Sequence, residues 1–368
     1  MESYTYTVDL AIMLQVVALG FIGGTLSGFI GSGGAFFMTP GMMNLGVPGV
    51  IAVGSNITHK FGKALVGSRK HGEMGNVDKK MGLFMLATAA AGIRLAVWIN
   101  TLLFSMDKGS KSGAESPAAN LYISLVFSSI LSLVALSMLR DIIRSARDAT
   151  AGPSRRLSTA INRMRLFPVI QFSVSDVRVS LWVVLLIGLA TGYLAGTIGV
   201  GGFIGVPAMI YVFGMPTAVA AGTELFLAMF MGAWGALNYA YGGMVDLRLT
   251  MLMYIGSLVG IHIGAYGTKV VKEVVIRLVT ALIILLCVGS RAIAIPVYLR
   301  QLGWAELDPA WDSYFNTASK ALLFISGATG VIVILVQVVR AYFQRRRIHA
   351  TLDIAISPSA PTTPRAGS

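Results

Sequence analysis

A glycine-rich stretch that occurs twice sets the tightest limit on what this chain can fold into. Residues 24–34 read Gly-Thr-Leu-Ser-Gly-Phe-Ile-Gly-Ser-Gly-Gly, and an apolar run then leads to Gly46-Val47-Pro48. At a constant offset of 168 residues, Gly24, Leu26, Gly28, Ile30, Gly31, Gly33, Gly34, Gly46 and Pro48 recur as Gly192, Leu194, Gly196, Ile198, Gly199, Gly201, Gly202, Gly214 and Pro216. The register holds through Gly54/Gly222, Gly67/Gly235, Gly75/Gly243, Asp78/Asp246 and Gly92/Gly260. An offset kept over about seventy positions marks a duplicated structural unit. In each copy the glycines interrupt an apolar segment where a helix in lipid should be continuous. Non-helical backbone at that depth is tolerated only when buried in protein or lining a watery cavity. Interruptions at matching places in two halves point to a transporter's substrate site.

Lipid is the implied solvent because hydrophobic residues make up 55% of the chain and charged residues 12%, with a mean hydropathy of +0.74. The net charge of +13 does not argue for nucleic acid, since the basic residues stand in short clusters between apolar segments and near the C-terminus. That distribution reads as loops held on the cytoplasmic side. A single cysteine, Cys287, lies in an apolar run, so the chain offers neither a disulfide framework nor a thiolate metal site. Residues 1–10 carry Glu2 and Asp9 and no Lys or Arg, unlike a cleaved signal peptide, and the first apolar segment is read as a retained span.

In chain order, spans are expected at 10–30, 81–104, 119–139, 181–198, 249–268, 278–299 and 319–340. Residues 35–58 hold two apolar pieces, each below span length, which read as a re-entrant hairpin, with two conventional spans as the alternative. The basic run 59–80 is expected to be a cytoplasmic loop. The resulting organisation is a first transmembrane repeat at 1–139, a basic cytoplasmic connector at 140–178 and a second repeat at 179–300. A loop and C-terminal transmembrane helix follow at 301–344, then a disordered cytoplasmic tail at 345–368. The connector's portion near 157–170 is amphipathic, and a solvated linker is the plainer reading of it. If each glycine-broken hairpin returns to its own side, the repeats are inverted, the N-terminus lies outside and the C-terminus inside. This arrangement gathers the basic clusters on one face, although 217–241 is apolar enough to cross fully.

Short helices starting after Gly34 and Gly202 would offer unpaired backbone N–H groups and positive dipole ends to an anion. Candidate substrate-binding residues are therefore Gly31, Ser32, Gly33 and Gly34 with Asn56 in the first copy, and Thr197, Gly199, Gly201, Gly202 and Thr223 in the second. The alternative is that glycines in apolar helices merely permit close packing. Arg94 and His262 occupy equivalent repeat positions and add two cations, with a structural ion-pair or carbonyl-binding role as the alternative for each. Glu224, at the repeat position of Asn56, is the carboxylate within an apolar run and the candidate proton carrier, with a structural ion pair as its equal alternative. For Arg291, also within a span, a structural role is preferred, and His59, Lys60 and Lys63 read as loop-proximal topology determinants, with a basic vestibule that attracts anions as the alternative. The motif lacks the Lys-Ser or Lys-Thr of a nucleotide loop, and no metal or cofactor is implied.

The doubled break, Gly28-x-x-Gly31-x-Gly33-Gly34 and Gly196-x-x-Gly199-x-Gly201-Gly202, with Pro40 and Pro207 downstream, resembles that of the TauE/SafE family of sulfite and organosulfur anion exporters. The resemblance covers 10–105 and 181–300. It implies secondary transport of small sulfur-containing or organic anions such as sulfite, sulfoacetate or thiosulfate across the cytoplasmic membrane, with proton-coupled export. The expected fold is thus an all-α polytopic membrane protein, two repeats of transmembrane helices with glycine-broken or re-entrant helices, plus an additional C-terminal span. Expected partners are the anion, protons and the lipid bilayer, with no nucleic acid and with a homo-oligomer left open. A passive anion channel is the main alternative. A membrane enzyme ranks below it, because the spans offer one carboxylate and scattered cations.

Overall fold

The computed structural model describes residues 9–30, 34–106, 116–147, 167–199, 201–271 and 273–356. Among them the chain is almost wholly helical. The helices are α1 (Leu10–Ile30), α2 (Ala35–Asn44), α3 (Gly49–Glu73), α4 (Lys79–Met106), α5 (Pro117–Arg147), α6 (Leu181–Ile198), α7 (Gly202–Tyr211), α8 (Thr217–Tyr241), α9 (Leu247–Val270), α10 (Glu273–Gln301) and α11 (Ala310–Ile356). Two short strands, β1 (Val169–Phe172) and β2 (Val177–Ser180), precede α6. Eight of the helices, all but α2, α3 and α7, are long and apolar enough to cross a membrane. Their outward faces carry Leu95, Leu133, Leu186, Leu237, Leu258 and Ile325, all exposed, as lipid contact requires.

Small residues set how the helices pair. Gly20 lies against Met253, Gly24 against Ser257 and Gly28 against Ile261, so α1 and α9 run side by side in one direction. Gly188, Gly192 and Gly196 of α6 meet Met85, Ala89 and Ile93 of α4 in the same way. A Cβ at Gly24 would lie 2.5 Å from the Cα of Ser257, and one at Gly192 2.5 Å from the Cα of Ala89. These positions accept no side chain. Part of the duplicated glycine motif therefore serves as a packing seam, the role small residues play where lipid supplies no hydrophobic drive for helix association.

Helix directions follow from the same contacts. Gly34 sits beside Gly23 and Gly41 beside Leu19, so α2 folds back along α1. Asn56 reaches Thr39, and Gly49 lies beside Met43, so α3 turns back again and runs with α1. After the turn at 74–78, α4 runs against it. Since α6 is parallel to α4, it is opposed to α1, its counterpart 168 residues earlier. At the centre α3 and α8 cross antiparallel, with Gly235 on Ile57, Gly232 on Phe61 and Gly67 on Leu225. One face of the molecule then carries Arg69, Lys70, Lys79, Lys80, Arg144 and Arg178. The other carries Asp9, Asp246, Glu306, Asp308 and Asp312.

Two expected boundaries are corrected. The second arm of 35–58 is not a short piece but the start of α3, 25 residues long, and 59–73 is helix rather than loop. The basic run does not end the helix because its first cations turn inward: His59 Nε2 is 2.8 Å from Ser257 Oγ of α9 and Lys60 faces Glu224 of α8. The last helix is longer than 319–340 and continues past Arg345–Arg347 to Ile356. No Gly or Pro interrupts it between Gly330 and Pro358. The tail from 357 and the amphipathic portion of the connector up to 166 lie outside the described residues.

The remainder of the connector is anchored. Strands β1 and β2 pair antiparallel with Phe172 opposite Val177, and Phe172 is buried edge-on to Phe84, centroids 6.3 Å apart, with Lys80 Nζ 5.6 Å from its ring. At the hairpin tip, Ser175 donates its hydroxyl and its N–H to Asp78 Oδ2, at 2.6 and 3.2 Å. The other Asp78 oxygen accepts from Met81 N at 3.0 Å, capping α4. Asp78→Ala removes both functions. It is expected to cost about 1–2 kcal/mol from the cap alone and to speed proteolysis near 173–176. Unchanged melting and unchanged cleavage would reject the anchor.

Candidate functional site

On α3, Asn56, Lys60 and Lys63 stand at i, i+4 and i+7 and share one helical face. That face turns into the protein. Lys60 and Lys63 fall near the middle of a 25-residue helix, which at about 1.5 Å per residue is long enough to cross the hydrocarbon layer. Lys60 Nζ is 3.8 Å from Glu224 Oε1 of α8, an ion pair too long for a hydrogen bond, and Glu224 is 3% exposed. Neither Glu224 oxygen, nor Lys63 Nζ, nor His59 Nδ1 has a hydrogen-bond partner. Buried ionisable groups in a membrane mark pathways and coupling sites when their polar atoms are left open in this way. Lys63, about one turn beyond Lys60, adds a second ammonium to the same face of α3.

Backbone at the second break meets the other end of this stripe. Helix α6 stops at Ile198, and Gly199 adopts φ +78°, the left-handed region that glycine enters without strain. Thr39 Oγ1 donates to the Ile198 carbonyl at 3.1 Å, and Asn56 Nδ2 donates to Ala35 O and Thr39 Oγ1, both at 2.9 Å. A Cβ on Gly199 would stand 2.9 Å from Asn56 Nδ2. The α2–α3 hairpin of the first half is thus tied to the break of the second. Asn56 Oδ1 remains unbonded. Helix α7 starts at Gly202 with no side-chain cap, and its Gly205 lies against Glu224 Oε2.

The structure therefore brings Asn56 and Gly199 together, and places Glu224 with the α7 hairpin that Gly201 and Gly202 open. Thr197 is buried on the same segment, but its hydroxyl bonds Tyr193 O within α6, while its carbonyl accepts from Asn100 Nδ2 at 3.2 Å. Thr223 Oγ1 accepts from Asp78 N at 2.9 Å and so holds the α3–α4 turn. Gly34 precedes α2 and packs on Gly23. Gly31, Ser32 and Gly33 lie outside the described residues.

Arg94 and His262 are not part of this gathering. Arg94 is exposed, donates to Asn238 Oδ1 at 2.9 Å, and lines an open groove of about 320 Å³ with Trp98, Thr101 and Tyr241. His262 is exposed too, its Nδ1 2.7 Å from Leu258 O. Sequence reading takes Lys60, Lys63 and His59 for loop-proximal topology determinants in preference to an anion-attracting vestibule, and misses that they stand on a helix. Their spacing with Asn56 was the available signal, since i, i+4, i+7 polarity inside a helix needs an interior partner.

A family model described as sulfite exporter TauE/SafE matches residues 16–291. The probable membrane transporter protein YjnA of Bacillus subtilis (strain 168) is 27% identical over 255 residues, covering 69% of this chain and 89% of that protein. Its YdhB counterpart in the same organism is 24% identical over 271 residues, 72% of this chain and 94% of that one. A probable membrane transporter protein of Xylella fastidiosa (strain 9a5c) is 26% identical over 305 residues, 80% and 97% of the two chains. No solved structure matches.

Proposed function

The chain belongs to the sulfite exporter TauE/SafE family of membrane transporters, and from that premise we propose that it is a proton-coupled secondary transporter of small sulfur-containing or organic anions in the cytoplasmic membrane. The basic face would lie in the cytoplasm, in keeping with the positive-inside tendency. The observation that carries the reading is the inward Lys60–Glu224 pair, with both carboxylate oxygens unbonded and the unbonded Nζ of Lys63 on the same face of α3. An anion such as sulfite or thiosulfate satisfies these ammonium groups in place of water, and Asn56 and the backbone opened at Gly199 lie one turn along the same face.

Coupling follows from competition for Lys60. The ammonium attracts either the Glu224 carboxylate or the substrate. A proton on Glu224 frees Lys60 for the anion, so proton and anion each favour the other's binding by the same factor. The two then travel together, and an excess of cytoplasmic anion drives export. Access to either side would alternate as the two opposed halves rock across the α3–α8 crossing, where a Cβ on Gly232 would come within 2.9 Å of the Phe61 Cα. That close packing favours a carrier over an open channel.

The direct test is flux of labelled sulfite, thiosulfate, sulfoacetate and small carboxylates in proteoliposomes under an imposed pH gradient. Saturable flux of at least one sulfur anion, faster in the direction of proton flow, is expected. Linear, unsaturable and pH-independent flux would replace the carrier with a channel.

A further inference from the structure

A second buried cation lies apart from the transport cluster. Arg291, on α10, is 1% exposed at the junction where the tip of the α2 hairpin meets α10 and α11. Its Nη2 donates to Asn44 Oδ1 at 2.6 Å and to Ser319 Oγ at 3.4 Å. Around it the polar groups are already committed to one another. Asn44 Nδ2 donates to Ser290 Oγ at 3.0 Å and Ser319 O at 3.2 Å, Ser290 Oγ to Ser319 O at 2.7 Å, and Ser319 Oγ to Ser290 O at 2.7 Å.

Two observations remain unexplained by that network. Arg291 Nε and Nη1 are buried without a partner, which leaves three of the five guanidinium N–H donors unused. Among the described residues no carboxylate pairs with Arg291: the ion pairs are Lys60–Glu224, Arg69–Glu73, Arg248–Asp246 and Arg300–Asp312. Asn44 ends α2, so the negative end of that short helix offsets part of the charge, equivalent to about half an elementary charge at most. A water molecule would fill a donor but would not neutralise the remainder. Buried charge without a counter-charge is among the most expensive arrangements in a membrane protein, and orphaned buried donors call for a water or an ion, of which only an anion also offsets the charge.

We propose that Arg291 holds a small inorganic monoanion, of the size and charge of chloride, against its unbonded N–H groups. A single guanidinium matches one negative charge, and the 1% exposure of Arg291 favours a small ion over the larger organosulfur substrates. The ion pins the end of the α2 hairpin to α10 and to the last helix, which makes it a fixed structural anion rather than cargo.

The test compares purified protein in chloride, bromide, sulfate and gluconate at equal ionic strength. Wild type is expected to melt several degrees higher in chloride and bromide than in gluconate or sulfate, with saturation. Arg291→Gln is expected to lose that difference and Arg291→Lys to keep most of it. Equilibrium dialysis of radiolabelled chloride gives an independent reading on wild type: one bound ion per chain, retained in Lys63→Met, supports the site. Equal melting of wild type in all four salts, or no bound chloride, overturns it. An Arg291→Gln protein that keeps the full chloride shift does the same. If Arg291→Gln does not fold, dialysis on wild type and Arg291→Lys decides.

Discussion

Glu224→Gln is expected to abolish the response of anion flux to an imposed proton gradient and to lower flux tenfold or more. The amide keeps the size of the carboxyl but can neither take up a proton nor pair ionically with Lys60, whose Nζ lies 3.8 Å from Glu224 Oε1. Flux that remains should be indifferent to pH on both sides, because the exchange of partners at Lys60 no longer involves a proton. Lys60→Met acts from the other side of the pair. It leaves a carboxylate 3% exposed with no cation and no hydrogen bond, so a loss of about 3–5 kcal/mol of stability is expected in addition to lost transport. The double variant, carrying both changes, should melt higher than Lys60→Met alone, since the stranded charge is gone. This non-additivity is the signature of direct contact between the two side chains. Additive melting shifts would mean that the residues do not act as a pair. Faster flux against the proton gradient would reverse the sign of the coupling and remove the shared-lysine mechanism.

The parts of this molecule that could be read from sequence are those set by local chemistry. Apolar length gave α1 and α6 within a residue of their ends, because Leu10–Ile30 and Leu181–Ile198 stop where glycine follows. Positive charge clustering predicted the shared face of Arg69, Lys79, Lys80 and Arg178, since that asymmetry is written directly in composition. What could not be read depends on partners far along the chain. Lys60 looks like a loop cation until Glu224, more than 160 residues away, is known to face it. Arg94 and His262 share a repeat position, yet rotation of α4 and α9 about their axes, fixed by the Gly92 and Gly260 contacts, turns both outward. The strands β1 and β2 are only four residues each, and their place follows from Ser175 meeting Asp78, not from any strong alternating pattern. Sequence separation thus decided legibility more than chemical type.

The second large effect concerns the seam beneath the site. Gly24→Val and Gly192→Val are each expected to prevent accumulation of folded protein, whereas Gly46→Ala, at φ +84° with nothing within 4 Å of its would-be side chain, strains only a turn. A Cβ at either seam position would come within 2.5 Å of a backbone Cα on the partner helix. Backbone in a packed helix pair cannot step aside as a flexible side chain can, so α1 would have to separate from α9, or α6 from α4, along its length. Overpacking of this kind costs about 1–3 kcal/mol where neighbours relax, and more where they cannot. The loss reaches the transport site because α6 carries Ile198, the acceptor of the Thr39 bond that ties the two halves together. Gly24→Ala and Gly192→Ala should give partial loss, with melting lowered in proportion to the volume added. The measurement is the monodisperse fraction after detergent extraction, followed by thermal unfolding of what remains. Wild-type yield and melting for Gly24→Val and Gly192→Val would show that these helices are not in close contact, and the depth assigned to Lys60, Lys63 and Glu224 would lose its scaffold.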